Sequence, residues 1–216
     1  MRLKKILFVS ILKTIIFNFS YFELKRAIKF PVWIGKSIEL RKLGGRFIIP
    51  HNSGFGDIKL GIGTVGVVSR YEKGVFENTG CVIFHGKANL GCGSSIVCHG
   101  NLNIGKNLVV TARSSIYAYG EIEIKDNVLI SWDVLIMDTD THKIYKNGKR
   151  INEDKKIVIG NNVWIGCRST VLKGTIIGDG SILGSNSIAS GCYENKNRII
   201  IGNKSKEINE MIRWEI

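Results

Sequence analysis

An aliphatic residue recurs at every sixth position over much of the chain. The repeat is often followed by turn-forming residues, as in IGNN at 159 and IGDG at 177. This pattern predicts short strands joined by tight corners, with one inward side chain per strand. The series are Leu90, Ile96 and Leu102; Ile104, Val110, Ile116 and Ile122; Ile124, Ile130 and Ile136; and Ile159, Ile165, Val171, Ile177 and Leu183.

Three such units close one coil of about 18 residues, and stacked coils gather the inward side chains into a column. We therefore expect an all-β solenoid over residues 51–203. A sandwich or barrel is the alternative, but its strands should recur about every 8 to 12 residues and be joined by hairpin turns. The series slips by two positions at 102–104 and at 122–124. We interpret both slips as enlarged corners.

Two segments near the C-terminus lie outside the repeat. Residues 138–156 read DTDTHKIYKNGKRINEDKK and lack the periodicity, so we expect them to project from the coils as a loop. Residues 204–216 are predicted to form a short C-terminal helix that caps the solenoid. Ser205 is its expected N-cap, and Ile208, Met211 and Ile212 lie on one of its faces.

The N-terminal segment 1–50 is predicted to be an amphipathic helical segment followed by a connector over 32–50. Lys13 interrupts its apolar stretch and no small-residue cleavage site follows, which disfavours a signal peptide or a membrane-spanning helix. Pro31 is expected to end the helical region. The apolar face comprises Phe8, Ile11, Leu12, Ile15, Phe19 and Phe22, and the opposite face comprises Ser10, Lys13, Thr14 and Asn18.

The positive charge is concentrated in this same segment. The net charge is +13, and residues 1–50 contain eleven basic but only two acidic residues. Nucleic-acid binding is therefore not expected of the fold as a whole. Two interpretations of the helix remain: it packs its apolar face on the protein body, or it lies on an anionic membrane surface. We favour the second, which would place a cytoplasmic protein at the inner face of the plasma membrane.

Three sequence blocks carry a family resemblance. DNVLISWDVLIMDTDTH, KIVIGNNVWIGCRSTVLKGTIIGDGSILGSNSIASG and IIIGNKSKEI follow one another within residues 90–210. They resemble the hexapeptide-repeat acetyltransferases, in particular the maltose/galactoside, xenobiotic and bacterial polysaccharide O-acetyltransferases. The resemblance implies a left-handed parallel β-helix that assembles as a homotrimer and binds acetyl-CoA in a cleft between neighbouring subunits.

By this resemblance, His142 matches the catalytic histidine of the family. An imidazole there would accept the proton of a sugar hydroxyl as it attacks the thioester, and then pass it to the departing thiolate. Asp138 and Asp140 are candidates for orienting or polarising the ring.

The resemblance also implies a set of acetyl-CoA contacts. Trp164 is placed beside the active site, and a backbone N–H near Cys167 would contact the cofactor or the oxyanion. The thiol of Cys167 is not expected to act as a nucleophile. Ser185 and Ser190 match positions that contact the pantetheine arm. Lys204 and Lys206 lie where basic side chains of the family meet the CoA phosphates, although Lys204 replaces the usual proline.

Cysteine and histidine usage argues against other chemistries. Five cysteines without a CxxC pair favour neither a disulfide framework nor a zinc site, and indicate a reducing compartment. A γ-type carbonic anhydrase would need two histidines five residues apart, and His51, His85, His99 and His142 include no such pair. We expect no metal, and we interpret His85 and His99 as exposed turn residues.

The sequence thus predicts an acetyl-CoA-dependent O-acetyltransferase that modifies a sugar hydroxyl of a bacterial capsule, O-antigen or related polysaccharide, including a lipid-linked saccharide. A small soluble acceptor, such as an amino-sugar nucleotide, serine or a xenobiotic, is the alternative. A non-catalytic β-helix scaffold is a further one. The basic residues of the loop, among them Lys143 and Arg150, would suit an anionic saccharide or lipid diphosphate, or would only solubilise the loop.

Overall fold

The computed structural model describes residues 8–202 and the backbone of 213–215. Two helices occur in this part of the chain, α1 at Ile11–Tyr21 and α2 at Leu24–Ala27. The hydroxyl of Ser10 caps α1 by accepting a hydrogen bond from the Lys13 N–H. Neither helix is long and apolar enough to cross a bilayer.

Three parallel sheets form the sides of a solenoid. Sheet 1 contains β1 (Val32–Ile34), β4 (Ile58–Leu60), β7 (Ala88–Leu90), β10 (Leu108–Val110), β13 (Leu129–Ile130), β18 (Trp164–Ile165), β21 (Ile182–Leu183) and β24 (Ile199–Ile200). Sheet 2 contains β2 (Ile38–Leu43), β5 (Gly74–Asn78), β8 (Ser95–Cys98), β11 (Ser115–Ala118), β14 (Leu135–Met137), β19 (Thr170–Leu172) and β22 (Ile188–Ala189). Sheet 3 contains β3 (Arg46–Ile48), β6 (Cys81–Phe84), β9 (Asn101–Ile104), β12 (Glu121–Ile124), β17 (Ile157–Ile159), β20 (Ile176–Ile177) and β23 (Cys192–Tyr193).

Each coil contributes one strand to each sheet, so paired strands are one coil apart in sequence. In the middle coils the paired residues are 20 positions apart, as for Ala88 and Leu108. In a later coil they are 18 apart, as for Trp164 and Ile182. This topology confirms the predicted all-β solenoid, a parallel β-helix with an N-terminal amphipathic helix. Its left-handed winding is what the family resemblance implies.

The six-residue series forms the core of the solenoid, as predicted. Every member of the four series is at most 2 % exposed, and all of them belong to one continuous hydrophobic cluster. Burial of side chains of this size contributes about 1.5–3 kcal/mol each, so the column is the main source of stability.

The phase slips have a different cause from the enlarged corners that the sequence suggested. Leu102 and Ile104 both belong to β9, and both are fully buried. Ile122 and Ile124 are likewise both buried within β12. Residues two apart on a strand face the same side, so each slip marks a longer strand with two inward residues.

The β-helix also begins earlier than the predicted boundary at residue 51. The segment 32–50, which was expected to be a connector, contains β1, β2 and β3 and forms the first coil. Its pairing with the second coil spans long irregular corners, because Val32 pairs with Ile58, 26 residues later, and Ile38 pairs with Gly74, 36 residues later. These corners interrupt the six-residue spacing.

Helix α1 packs on this first coil with the face that is mostly polar. Thr14, Phe17 and Asn18 are buried, whereas the central residues of the apolar face are exposed and its end residues Phe8 and Phe22 are partly buried. The exposed residues are Ile11, Leu12, Ile15 and Phe19. The interpretation that the apolar face packs on the protein body is therefore wrong. The physical reason is that β1 is the end strand of sheet 1, and its free backbone groups need hydrogen-bond partners.

The segment 138–156 leaves the solenoid between β14 and β17. It contains a hairpin of β15 (Lys143–Lys146) and β16 (Lys149–Arg150), and the backbone of β25 (Arg213–Glu215) pairs with β15 on the other side. The predicted C-terminal helix is therefore wrong over 213–215, where the hairpin offers an unpaired edge to the chain. The remainder of that prediction, including Ser205, Ile208 and Met211, lies outside the described residues.

Candidate functional site

Two corners of the solenoid carry the candidate site residues. The first corner joins sheet 1 to sheet 2, and the second corner joins sheet 2 to sheet 3. At the second corner, a column is formed by the residues that directly follow the sheet 2 strands of successive coils. This column contains His99, Tyr119, Asp138, Lys173 and Ser190.

Asp138 fixes the base of the projecting loop to the preceding coil. Its side chain is fully buried, and its two oxygens accept hydrogen bonds from the N–H groups of Tyr119 and Gly120, both at 2.8 Å. Burial raises the pKa of this carboxyl, and the backbone donors offset only part of the effect. These two contacts of Asp138 stabilise the backbone of the corner.

Asp140 belongs to a polar cluster inside the loop. Its Oδ2 accepts hydrogen bonds from Lys173 Nζ and from Asn152 Nδ2, the latter at 2.8 Å. Partial burial opposes ionisation of Asp140, but the bonds from Lys173 and Asn152 outweigh it, and the pKa lies below its ordinary value. Asp140 is therefore a carboxylate at neutral pH.

Asn152 ties together the segment that carries His142. Its Oδ1 accepts from the Ile144 N–H at 2.7 Å, and its Nδ2 donates to the carbonyl of His142 at 2.7 Å as well as to Asp140. The side chain of Asn152 is buried, and the backbone carbonyl of the same residue accepts from Lys173 Nζ at 3.0 Å. Neither Asn152 nor Lys173 was predictable from the sequence, because their roles depend on how the loop closes and no local sequence pattern marks them.

His142 lies at the start of the hairpin with its backbone held on both sides. Its N–H donates to the Asp140 carbonyl at 2.7 Å, and its own carbonyl accepts from Asn152. The preceding Thr141 has a φ of 62°, which turns the chain sharply at this point. The residue is exposed, so its position is defined by the backbone clamp while its surface remains accessible.

An aromatic cluster lies on the second corner next to the loop base. The His99 ring is 4.6 Å from that of Tyr119, which stacks on Tyr117 at 5.1 Å. His99 Nδ1 is 2.7 Å from Thr79 Oγ1, and its Nε2 is 3.8 Å from Glu77. His99 is thus half-buried and contacts neighbouring side chains, so its interpretation as an exposed turn residue is wrong. His85 is exposed, as expected.

The first corner and the adjoining strand β18 carry the other residues that are predicted to contact acetyl-CoA. Trp164 is about half exposed on the outer face of β18, between Leu129 and Ile182 of the neighbouring coils, and its Nε1 donates to Ser131 Oγ at 3.1 Å. Cys167 and Ser185 stack at the corner, with Sγ and Oγ 3.5 Å apart. The N–H of Cys167 donates to no acceptor in the part of the chain that the structure describes.

One chain does not bring all the predicted site residues together. Ser190 shares the second corner with the base of the His142 loop. Trp164, Cys167 and Ser185 lie across the width of sheet 2 from it. Lys204 and Lys206 lie outside the described residues. The five cysteines are free thiols, three of them buried and Cys192 exposed.

Comparisons with known proteins agree with this architecture. The family model for bacterial transferase hexapeptide repeats (six repeats) matches residues 156–191. The galactoside O-acetyltransferase of Escherichia coli (strain K12) is 37% identical over 93 residues, which cover 42% of this chain and 45% of the relative. The polysialic acid O-acetyltransferase of Neisseria meningitidis is 44% identical over 57 residues, which cover 26% of each chain. The alignments with these curated relatives thus span less than half of their length.

A solved structure with a similar chain path is that of AntD, an N-acyltransferase from Bacillus cereus, in complex with dTDP and 3-hydroxybutyryl-CoA. It is 15% identical with a TM-score of 0.41, and the match covers 88% of this chain and 89% of that chain. This likeness concerns the path of the chain alone.

Proposed function

Because the chain belongs to the hexapeptide-repeat acetyltransferase family, we propose that it transfers the acetyl group of acetyl-CoA to a saccharide hydroxyl. The acceptor is a bacterial surface polysaccharide such as capsule or O-antigen, or its lipid-linked precursor. The observation that carries the proposal is the backbone clamp on His142 at the base of a loop that projects from this fold. The names of the two O-acetyltransferase relatives, which refer to a galactoside and to polysialic acid, support a carbohydrate acceptor.

His142 acts as the general base in this proposal. The neutral imidazole accepts the hydroxyl proton as the oxygen forms a bond to the thioester carbonyl carbon. The C–S bond then breaks, and the imidazolium returns the proton to the departing thiolate. Asp140 and Asn152 act as positioning residues, because their carbonyl and amide groups hold the main chain of His142.

The first corner fits the pantetheine arm of acetyl-CoA. Trp164 and Ile182 supply a partly exposed apolar wall for its methylene groups. The Cys167 N–H and the Ser185 hydroxyl are available to its amides or to the thioester oxygen. A backbone N–H aimed at the developing oxyanion stabilises the transition state.

A complete site would join two subunits. Since the two corners lie on opposite edges of sheet 2, the first corner of one subunit would face the His142 loop of its neighbour in a closed ring. The number of subunits comes from the family resemblance, which implies a homotrimer, and we propose that the site lies at each subunit interface. Mixed trimers of His142→Ala and Trp164→Ala chains should recover activity at roughly a quarter of the sites, if each mutation inactivates the sites to which it contributes. No recovery in mixed trimers would contradict a shared site.

The proposed reaction is tested by CoA release with a panel of acceptors: polysaccharide repeat units, sugar nucleotides, serine and chloramphenicol. Preferred turnover of a repeat unit, lost in His142→Ala, is the expected result. Preference for serine, a sugar nucleotide or chloramphenicol would overturn the polysaccharide assignment and leave acetyl transfer standing. No CoA release with any acceptor would favour the non-catalytic scaffold.

A further inference from the structure

The outward side of α1 is an unpartnered apolar surface. Its five large side chains are between 40 and 76 % exposed, although they are all apolar. We call them the helix face: Ile11, Leu12, Ile15, Ile16 and Phe19. Exposed single apolar residues are common, but a contiguous group of this size marks an interaction site.

Buried hydrogen bonds hold this face outward. Asn18 is fully buried and bonds both backbone groups of Val32, donating to the carbonyl at 2.7 Å and accepting from the N–H at 3.2 Å. Thr14 Oγ1 accepts from the Ile34 N–H at 3.0 Å. Rotating α1 to bury its apolar side would leave these groups of β1 without partners, which is costly in a buried position. The orientation of the helix face is therefore built into the fold.

The apolar surface continues beyond α1. Leu24, in α2, and the following Ile28 are 68 % and 56 % exposed. The ring of Phe19 lies 6.4 Å from that of Phe30, which connects the helix to this segment.

Basic groups border the apolar surface at both ends. Lys25 and Lys29 are exposed beside Leu24 and Ile28. At the start of α1, an open cleft of about 920 Å³ is lined by aromatic residues, by one carboxylate and by four cationic side chains, so its lining is net positive. The carboxylate is that of Glu39, and the cations are those of Lys13, Lys36, Arg70 and Lys73. An apolar face flanked by cations is complementary to a lipid surface with anionic headgroups.

We propose that the helix face lies on an anionic bilayer surface, with its apolar side chains in the boundary between headgroups and acyl chains. A second copy of the chain is a poorer occupant, because the first fifty residues of each copy contain eleven basic and two acidic residues and would repel one another. The eleven residues of α1 are too few to cross a bilayer, so the helix would lie parallel to the surface. This inference does not depend on the proposed acetyl transfer.

The test is co-sedimentation of the full chain with vesicles of phosphatidylcholine and phosphatidylglycerol in equal parts, and with vesicles of phosphatidylcholine alone. The probe variant is Leu12→Gln/Ile16→Gln, which changes two exposed residues and keeps the buried contacts of α1. The matched control is Ile188→Gln, a similarly exposed isoleucine on β22 in the seventh coil. Circular dichroism should show the same melting temperature for all three proteins.

We expect the wild type and the control to bind the anionic vesicles at low salt and to be released by high salt. The double variant should bind at least tenfold more weakly, since two apolar anchors are lost from the lipid boundary. Absence of wild-type binding at low salt, or equal binding by the double variant, would overturn the proposal. A lipid-free change of oligomeric state in the double variant alone would also overturn it, because the face would then cover another copy.

Discussion

Replacing Asn152 with alanine tests whether the loop clamp positions His142. The substitution removes three hydrogen bonds at once, those to the Ile144 N–H, the His142 carbonyl and the Asp140 carboxylate. Each neutral bond contributes about 0.5–1.5 kcal/mol and the bond to the carboxylate about 1.5–3 kcal/mol. The closed arrangement of the loop should therefore weaken by roughly 3–5 kcal/mol, with non-additivity reducing the sum.

This loss should affect activity much more than global stability. The loop projects from the coils, so it can open without disturbing the buried column of aliphatic residues. A weakening of about 3 kcal/mol corresponds to a factor of about 100 in the population of the closed loop. In the wild type the closed loop is already strongly favoured, so the fraction of closed loop falls by less than this factor. We therefore expect kcat/KM to fall about 10- to 100-fold.

The assay follows CoA release as a function of acceptor concentration, together with thermal unfolding by circular dichroism. Asn161→Ala provides a matched control, since Asn161 bonds the Asp126 N–H and the Asp179 carboxylate at a coil corner outside the loop. The control should lower the melting temperature and keep its activity. If Asn152→Ala retained full kcat/KM, or if it lost activity only in proportion to a lower melting temperature, the clamp would not position the histidine.

Three further substitutions test individual groups. His142→Ala should lower kcat by about 10²–10⁴-fold while the melting temperature is unchanged, and activity within a few-fold of wild type would remove His142 from the mechanism. Cys167→Ser should stay active in the same assay because its backbone N–H persists, whereas an acetyl group found on Cys167 by mass spectrometry would indicate covalent catalysis. Asp138 has a raised pKa in the folded state, so that state holds its proton more tightly than the unfolded chain. The stability advantage of the wild type over Asp138→Asn in urea unfolding should therefore decline as pH rises from 3.8 through the raised pKa, and be constant above it. An advantage that grew over that range would contradict the raised pKa.

The core was predictable because the spacing along the chain determines which side chains of a solenoid point inward. Ile130 and Ile165, for example, are members of the six-residue series, and both are buried. The slips at 102–104 and 122–124 were visible as well, but six-residue counting could not distinguish a long corner from a strand with two inward residues. The first coil was missed because Val32 and Ile58 are separated by an irregular corner rather than by a multiple of six.

Contacts between segments that are distant along the chain could not be predicted from the sequence. The periodicity of α1 separated apolar from polar side chains correctly. It carried no information about β1, whose free backbone groups attract Thr14 and Asn18 to the inner side. Similarly, the importance of Asn152 arises only when the loop folds back on Asp140 and His142. A helical pattern over 213–215 gave way to strand pairing with β15 for the same reason.

The strand register of sheet 1 is unchanged across the coil from which the segment 138–156 projects. Val109 pairs with Leu129 at a distance of 20 residues, and Leu129 pairs with Trp164 at a distance of 35, yet all three lie in one row on sheet 1. The additional residues are therefore accommodated entirely outside the stacked coils. Loops of other lengths and compositions can be exchanged at this junction while the row that contains Trp164 keeps its place. The fold in this way separates a segment that can vary in length and composition from the stacked coils, whose register stays constant.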